Sequence, residues 1–179
     1  MTPLKKKWFK KQWAEKHSQK NAPSHTSAPK PLLVSDYLLS DTIRFFQSSV
    51  AQQQIFTELI RTLQLENAPA VLKAILEREE IGSTVIAREI AFPHTRLPNL
   101  TRTKAALGLC PKGAEGIAKE SPIRLFLLFV SPADNMSQHL AFLSSAASLF
   151  QTEDLAQHLL RLTAPEAILE KIRESETGR

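Results

Sequence analysis

The sequence predicts an α/β sandwich in which helices pack on a β-sheet. Apolar residues recur at helical spacing before residue 81 and after residue 137, whereas the segment between them has short apolar runs without that period. One of these runs, Ile123–Val130, is apolar almost throughout, as expected of a strand buried on both faces. The order of helices, then strands, then helices indicates a sheet covered by helices.

Two helices are predicted before the strands. Apolar side chains recur at helical spacing over Ile55–Leu63, which predicts a helix from about Val50 to Leu65. Asn67 is a suitable N-cap for a second helix, which we expect to end near Glu80, where a glycine follows closely.

Four strands are predicted in the middle of the chain. Two short apolar runs, Thr84–Ile86 and Ile90–Phe92, each end at a polar residue or a proline. Two longer runs, Ala105–Cys110 and Ile123–Val130, are connected by a segment that we expect to be a loop, Gly113–Ser121.

Three helices are predicted after the strands. Ser137 is placed to cap a helix that extends to Phe150. Thr152 indicates a second start, and Thr163 with Glu166 three residues later forms a capping-box pattern for a third.

Length and charge indicate one domain and a tail. The chain has 179 residues, of which 42% are hydrophobic, enough for a single core. The first thirty residues carry eight lysines against Glu15 alone, whereas the rest carry 15 basic and 17 acidic side chains. We therefore predict a basic, disordered tail over residues 1–31 and a domain over residues 32–176. No nucleic-acid partner is expected for residues 32–179.

Two interpretations of the tail remain open. The segment Lys7–Trp13 has the composition of a short basic amphipathic helix that rests on an anionic membrane or partner. The simpler interpretation, which we favour, is a solubilising tail or an artefact of the start site. We find no secretory signal and no apolar run of membrane-spanning length. The lone Cys110 fits a reducing compartment, so we expect the cytoplasm.

Two of the five histidines are candidate functional residues. His94 follows an apolar strand and Pro93, and strand ends are where α/β proteins place reactive groups. His139 falls at the start of a predicted helix, where partial positive charge disfavours a protonated imidazole. The local pattern leaves a structural His94 and a capping His139 open. Two neutral imidazoles would form a nucleophile and a hydrogen-bond donor. His17 and His25 are interpreted as solvated, and His158 as a surface or half-buried residue.

Several other chemistries lack their sequence signatures. His94 and His139 are 45 positions apart, with no acidic or cysteine ligand at suitable spacing, so no metal is expected. The chain has no GxSxG motif for a nucleophilic serine and no glycine-rich phosphate loop. We therefore expect no cofactor.

Two motifs carry a resemblance to a known family. The stretch Leu76–Thr84, LEREEIGST, is followed by Ile90–His94, IAFPH, and the pair resembles the signature of the type-2 enzyme IIA domains. These are the fructose, mannitol and nitrogen-related phosphocarriers of the bacterial phosphoenolpyruvate-dependent phosphotransferase system. The segments Pro122–Asp134 and His139–Leu143 are similar to the family's last core strand and second-histidine helix. The resemblance covers about residues 32–175, and the nitrogen-related branch is the most similar.

This resemblance implies a fold, an activity and a site. The fold would be a three-layer α/β sandwich with a central mixed sheet flanked by helices. His94 would accept a phosphoryl group from phospho-HPr or its nitrogen-branch counterpart, and His139 would donate a hydrogen bond to that group. Arg78, sixteen positions before His94, matches the family's arginine beside the site. Ser83 and Thr84 are candidate supports, and Arg96 is a weaker candidate that we interpret as a surface charge.

The chain departs from the family pattern in two places. The family has glycines where this chain has Val85–Glu89, and glycine there permits a positive φ. An aspartate before the last strand is replaced by Lys119–Ser121. Both departures leave the histidines intact but put the choice of carrier in question.

Two functions of different classes follow. The first is a phosphohistidine carrier in a regulatory or sugar-uptake relay, a phosphotransferase-system component with no small-molecule turnover of its own. Its further partner would be an enzyme IIB or a regulated kinase or transporter. The second is a binding module of the same fold, in which phosphorylation of His94 changes partner docking. Because no enzyme IIB or transmembrane segment accompanies the domain in this chain, we expect a free-standing regulator.

Overall fold

A mixed six-stranded sheet forms the centre of the part of the chain that the structure describes. The structure is a computed structural model, and it describes residues 32–81, 84–87, 89–115, 122–151 and 153–178. These residues belong to one compact unit that begins at Leu32. The predicted tail, its Lys7–Trp13 segment, His17 and His25 lie outside the described residues, as do Ser83 and Lys119–Ser121.

The strands run in both directions. They are β1 (Ile43–Phe45), β2 (Val85–Ala87), β3 (Ile90–Ala91), β4 (His94–Leu97), β5 (Lys104–Leu109) and β6 (Leu125–Pro132). Their order is β1-β5-β6-β3-β2, and β4 also pairs with β6. The pairs β5–β6 and β2–β3 are antiparallel, whereas β1–β5, β3–β6 and β4–β6 are parallel.

Five α-helices flank the sheet within the described residues. They are α1 (Gln52–Thr62), α2 (Ala68–Ile81), α3 (Met136–Leu149), α4 (Glu153–Leu159) and α5 (Pro165–Thr177). Two 3-10 turns, Val34–Tyr37 and Ser40–Thr42, precede β1. None of these helices is both long and apolar enough to cross a membrane.

Strand β6 divides the core into two clusters. Successive side chains of a strand point to opposite faces, so alternate residues of β6 enter different layers. Leu125, Leu127 and Phe129 belong to the cluster that α3, α4 and α5 cover. Phe126, Leu128 and Val130 belong to the cluster that α1 and α2 cover. The predicted three-layer sandwich with a mixed sheet is therefore confirmed.

The helix boundaries test the predicted capping residues. Asn67 caps α2 as predicted, since its side-chain oxygen accepts a hydrogen bond from the Ala70 amide at 3.2 Å. The predicted cap Ser137 is wrong. Asn135 caps α3 by accepting from the amide of Gln138 at 3.0 Å.

The predicted capping box at Thr163 and Glu166 is also wrong. The N-cap of α5 is Ala164, which makes no side-chain cap bond, and Pro165 opens the helix. Proline suits that position because its missing N–H would have no partner there and its fixed φ matches the helix. Thr152 lies outside the described residues, and α4 begins at Glu153.

Two strands were missed by the sequence patterns. The three-residue β1 pairs with β5, and β4 carries His94 and Arg96 in place of an apolar run. His94 was expected at the end of a strand, but it opens β4 and pairs with Phe129 in the interior of β6. Neither strand has an alternating pattern long enough to be recognised, and each exists because it pairs with a long buried neighbour.

Candidate functional site

Strands β3 and β4 form one line that is interrupted at Phe92 and Pro93. Ala91 pairs with Phe126 and His94 pairs with Phe129, so the same register against β6 continues across the break. Pro93 has no N–H to donate, but its carbonyl accepts from the Phe129 amide at 3.0 Å. At the break, the Pro93 carbonyl therefore still bonds to β6, although Pro93 has no N–H to donate, and the register against β6 does not shift.

The break provides a hydrogen-bond partner for the imidazole of His94. Nδ1 of His94 lies 2.7 Å from the carbonyl oxygen of Phe92, two residues earlier. Because a carbonyl only accepts, the proton of the neutral ring is on Nδ1, and the lone pair is on Nε2. Nε2 is therefore the nucleophilic atom of this ring.

His139 is held by a different kind of partner. It lies in the first turn of α3, and its Nδ1 is 2.8 Å from the hydroxyl oxygen of Ser131 on β6. The exposed fractions are 7% for His139 and 0% for Ser131. A hydroxyl can donate as well as accept, so this contact is compatible with either neutral tautomer.

The two imidazoles lie side by side on the same face of the sheet. Their ring centroids are 5.2 Å apart, with an interplanar angle of 57°. The ring of Phe129 stacks on His94 at 5.0 Å and lies 5.4 Å from His139. His94 retains an exposed fraction of 8%. The structure thus brings together two histidines that are 45 positions apart in the sequence.

Both imidazoles are held neutral by their surroundings. Burial lowers the pKa of His94 below its ordinary value of 6.5, and the positive charge of Arg78 lowers it further, against the opposing effects of the Phe92 hydrogen bond and Glu79. Burial also lowers the pKa of His139, with additional contributions from His94, Arg96 and Arg78. Neutral rings at pH 7 are what nucleophilic attack and neutral hydrogen-bond donation need.

The structure places the other predicted site residues in different positions. Arg78, in the last turn of α2, acts electrostatically on both histidines. Arg96 is exposed, as interpreted from the sequence, and donates to the Ala133 carbonyl at 3.2 Å while its charge acts on His139. The hydroxyl of Thr84 donates to the carboxylate of Glu79. His158, interpreted as a surface or half-buried residue, is exposed.

Sequence reasoning missed three groups that shape the site. They are the Phe92 carbonyl, the Ser131 hydroxyl and the carboxylate of Glu79. Ser131 carried a signal, since it is the first hydroxyl after the apolar run of β6. A backbone carbonyl carries none, because its direction depends on the path of the chain. Among the described residues, no three His, Cys, Asp or Glu side chains are grouped to hold a metal ion.

Glu89 occupies one of the positions where glycine was expected. Its φ of 69° lies in the left-handed region, which favours glycine. Its carboxylate accepts from Gln157 of α4 at 2.9 Å and pairs with Arg124 at 3.6 Å. Arg88 lies outside the described residues. At Glu89, therefore, the departure retains the backbone conformation of a glycine and adds contacts to two other elements.

The fold and the site together define a class: a three-layer α/β domain with two neutral, adjacent histidines on one face of a mixed sheet. Comparison of the sequence with known protein families assigns the chain to one family within this class. Residues 37–175 match the family described as phosphoenolpyruvate-dependent sugar phosphotransferase system, EIIA 2. The chain belongs to this family, as the sequence motifs indicated.

Curated relatives include nitrogen regulatory proteins and fructose-specific components. The chain is 31% identical over 135 residues to a nitrogen regulatory protein of Escherichia coli, covering 73% of this chain and 81% of that protein. It is 25% identical over 151 residues to a fructose-specific EIIABC component of Bacillus subtilis, covering 80% of this chain. This match spans only 23% of that component. The chain is also 32% identical, over 52% of its length, to a nitrogen regulatory protein of Bradyrhizobium diazoefficiens, and that match spans 62% of the relative.

Solved structures have the same fold. The nitrogen regulatory protein IIA-Ntr of Neisseria meningitidis superposes with a TM-score of 0.70 at 20% identity, over 78% of this chain and 98% of that one. The mannitol IIA of Escherichia coli gives 0.63 at 19% identity, over 75% and 98% of the two chains. Family membership and these relatives support a phosphocarrier or regulatory role in the phosphotransferase system.

Proposed function

We propose that the protein is a phosphohistidine carrier that accepts a phosphoryl group on Nε2 of His94. The hydrogen bond from Nδ1 of His94 to the Phe92 carbonyl carries this proposal, because it leaves the lone pair on Nε2. The low pKa of the ring, caused mainly by burial, keeps that lone pair available at pH 7. The family supports the same kind of chemistry.

The proposed transfer needs no proton donor. The Nε2 lone pair of His94 attacks phosphorus, the bond between phosphorus and the donor's imidazole nitrogen breaks, and its electron pair returns to the donor ring. The Nδ1 proton stays on His94, where the Phe92 carbonyl stabilises the positive charge that develops on the ring. The reverse exchange passes the group to an acceptor.

The neighbours of His94 are suited to stabilise the transferred group. Phosphoryl transfer depends on alignment and on stabilisation of charge spread over the phosphoryl oxygens. The ring of His139, 5.2 Å away between centroids, would donate a hydrogen bond to those oxygens, and Arg78 would supply positive charge. Arg96 adds positive charge near His139. Thr84 would support the site indirectly, by binding Glu79. A contact from Ser83 remains a prediction.

The donor in this proposal is a phosphorylated carrier protein, HPr or its nitrogen-branch counterpart. Met136 and Leu140, one turn apart on α3 beside His139, have exposed fractions of 46% and 54%. Exposed apolar side chains next to a reactive group favour a protein partner that covers them. We therefore expect Leu140→Asp to raise the KM for the phosphorylated carrier. Leu39→Asp, at a 62% exposed apolar position just before the edge strand β1, is the control and should leave it unchanged.

An acceptor of the enzyme IIB type is also proposed. One of the solved structures with this fold is a complex of the mannitol IIA with phosphorylated mannitol IIB of Escherichia coli; it superposes with a TM-score of 0.61 at 18% identity, over 79% of this chain and 98% of that one. We place the exchange in the cytoplasm, where the unpaired, buried thiol of Cys110 would stay reduced.

The test is phosphorylation by purified components. The protein is incubated with phosphoenolpyruvate, enzyme I and each carrier, and acid-labile phosphate is measured. Wild type should take up one phosphoryl group, and His94→Ala should take up none. His158→Ala, which removes an exposed histidine of the same domain, is the matched control and should behave as wild type. Full labelling of His94→Ala would show that the acceptor is another residue.

His139→Ala separates acceptance from stabilisation. Because Nε2 of His94 remains in place, this variant should still accept phosphate. It should do so at about one hundredth of the wild-type rate, within the range for loss of one transition-state donor. Quench-flow labelling measures the rate. A rate equal to that of wild type would remove His139 from the proposed machinery.

A regulatory binding module is the second candidate, favoured by the relatives named nitrogen regulatory proteins. In this case phosphorylation of His94 adds negative charge to the face between β4 and α3 and changes the docking of a partner. Pull-downs with phosphorylated and unmodified protein distinguish the two candidates. Equal recovery of every partner from both forms would argue against the switch.

A further inference from the structure

Ser131 lies between the core and the site. It is on β6, and in the alternation of that strand it follows Phe129 on the face covered by α3. Its side chain is fully buried, and its hydroxyl oxygen is 2.8 Å from Nδ1 of His139. A buried hydroxyl needs a hydrogen-bond partner, and here that partner is the second imidazole of the site.

The two imidazoles are therefore oriented by chemically different groups. The Phe92 carbonyl can only accept, so it requires the proton of His94 to be on Nδ1. The Ser131 hydroxyl can donate, and when it does, the proton of neutral His139 is on Nε2. Nδ1 of each ring is occupied by its partner, which leaves the two Nε2 atoms to face the transferred group with opposite roles, one lone pair and one N–H.

We propose that Ser131 is a positioning residue for phosphoryl transfer, whose hydroxyl donates to Nδ1 of His139 and keeps the N–H on Nε2. This role rests on the proposed function, since the N–H is useful only if a phosphoryl group reaches His94. With the opposite tautomer, the Nε2 lone pair of His139 would repel the phosphoryl oxygens. The Ser131 hydroxyl thus gives Nε2 of His139 an N–H that donates a hydrogen bond, whereas Nε2 of His94 keeps a nucleophilic lone pair.

The first test measures the tautomer directly in the unphosphorylated full-length protein. The ¹⁵N chemical shifts of the imidazole rings distinguish a protonated nitrogen from one with a lone pair. In wild type, His139 should carry its proton on Nε2 and His94 on Nδ1. Ser131→Ala should give a mixture of tautomers at His139 and leave His94 unchanged. A wild-type His139 protonated on Nδ1 would overturn the inference.

The second test measures transfer. Ser131→Ala should slow phosphorylation of His94 by about tenfold, the effect of one lost neutral hydrogen bond in a buried site. Ser131→Thr retains a hydroxyl and should recover most of the rate. Ser137→Ala, an exposed serine in the first turn of α3, is the matched control. Thermal unfolding of each variant verifies that it is folded. If Ser131→Ala does not fold, the ¹⁵N measurement of the His139 tautomer in wild type decides the inference.

The two proposals can fail separately. Normal phosphorylation of Ser131→Ala, with the tautomer of His139 unchanged, overturns the positioning role and leaves the carrier function intact. Absence of any phosphorylation in wild type overturns the carrier function and this role with it, even where the ¹⁵N shifts show the Ser131 hydroxyl donating.

Discussion

Strand β6 has two neighbours that contrast in continuity. On one side, β5 pairs with it without interruption, from Lys104 with Val130 to Leu109 with Leu125. On the other side, the line of β3 and β4 keeps its register but breaks at Phe92 and Pro93. The continuous neighbour is almost entirely buried and apolar. The interrupted one carries His94.

The difference shows how one sheet provides both stability and chemistry. In a continuous pair, strand carbonyls are used by the ladder. At the break, the Phe92 carbonyl is instead available to the imidazole of His94, two residues later. Phe92 remains anchored, because its amide donates to the Thr84 carbonyl at 3.1 Å. The interruption therefore frees one acceptor without loosening the strand.

The largest effect is expected in the continuous region. Leu127 is fully buried on β6 and pairs with Leu107 of β5. Leu127→Ala should lower the free energy of unfolding by about 3 kcal/mol, through lost burial and the cavity that remains. Urea denaturation measures this. Leu140→Ala, at a 54% exposed position, should change it by less than about 0.5 kcal/mol. Equal losses for both would mean that the β5–β6 pair does not dominate stability.

The connection after β5 should be nearly as sensitive. Gly113 has a φ of 81°, and a Cβ there would overlap Pro122. Gly113→Ala should cost about 2 kcal/mol, from the strained backbone and the displaced proline. Gly178→Ala, where an added Cβ meets only ordinary contacts, is the control and should be neutral. A stable Gly113→Ala protein would mean that the connection adapts, and the contrast with the interrupted side would weaken.

The interrupted side should respond differently at Glu89, just before β3. Glu89→Ala removes the contacts to Gln157 and Arg124 but keeps the strained φ, so it should lose about 1.5 kcal/mol. Glu89→Gly loses the same contacts but relieves the strain, so it should be about 1 kcal/mol more stable than Glu89→Ala. Thermal unfolding compares the two. If the alanine variant is the more stable, the backbone at Glu89 is not strained.

The smallest effect is expected from pH. The folded-state pKa values of His94 and His139 are lowered from 6.5, so the unfolded chain binds protons more readily in mildly acidic solution. The two histidines should therefore cost no stability above about pH 6.5 and should destabilise the fold progressively as pH falls below it. A His94→Gln/His139→Gln double variant should show a flatter decline from pH 7 to 5 in denaturant titrations. A parallel decline would mean that other groups dominate.

The core was predictable from sequence because its signals are local. The runs that became β5 and β6 are apolar, and the periodicity of α1 reports a single buried face. Capping was predicted correctly at Asn67 and wrongly at Thr163, because a suitable side chain caps a helix only if the chain enters at that residue. At Thr163, the entry lies one residue later, before Pro165.

The site was only partly predictable. The motif ending in His94 and the second histidine at position 139 were recognised through a family resemblance, since nothing local connects residues 45 positions apart. The partners that determine their tautomers, the Phe92 carbonyl and the Ser131 hydroxyl, were not predicted. The Phe92 contact depends on the local path of the chain through Pro93, and the Ser131 contact depends on the packing of α3 against β6.

Sequence alone determined which long segments form the buried strands β5 and β6 and the amphipathic helix α1, and which imidazoles are available for chemistry, because hydrophobic pattern and residue type are properties of short stretches of chain. Tertiary structure decided the order of the strands, the break before His94 and the different roles of the two rings. A proton's position on an imidazole depends on whether a donor or an acceptor lies beside it, and that neighbour is fixed only when β6, β4 and α3 have packed together.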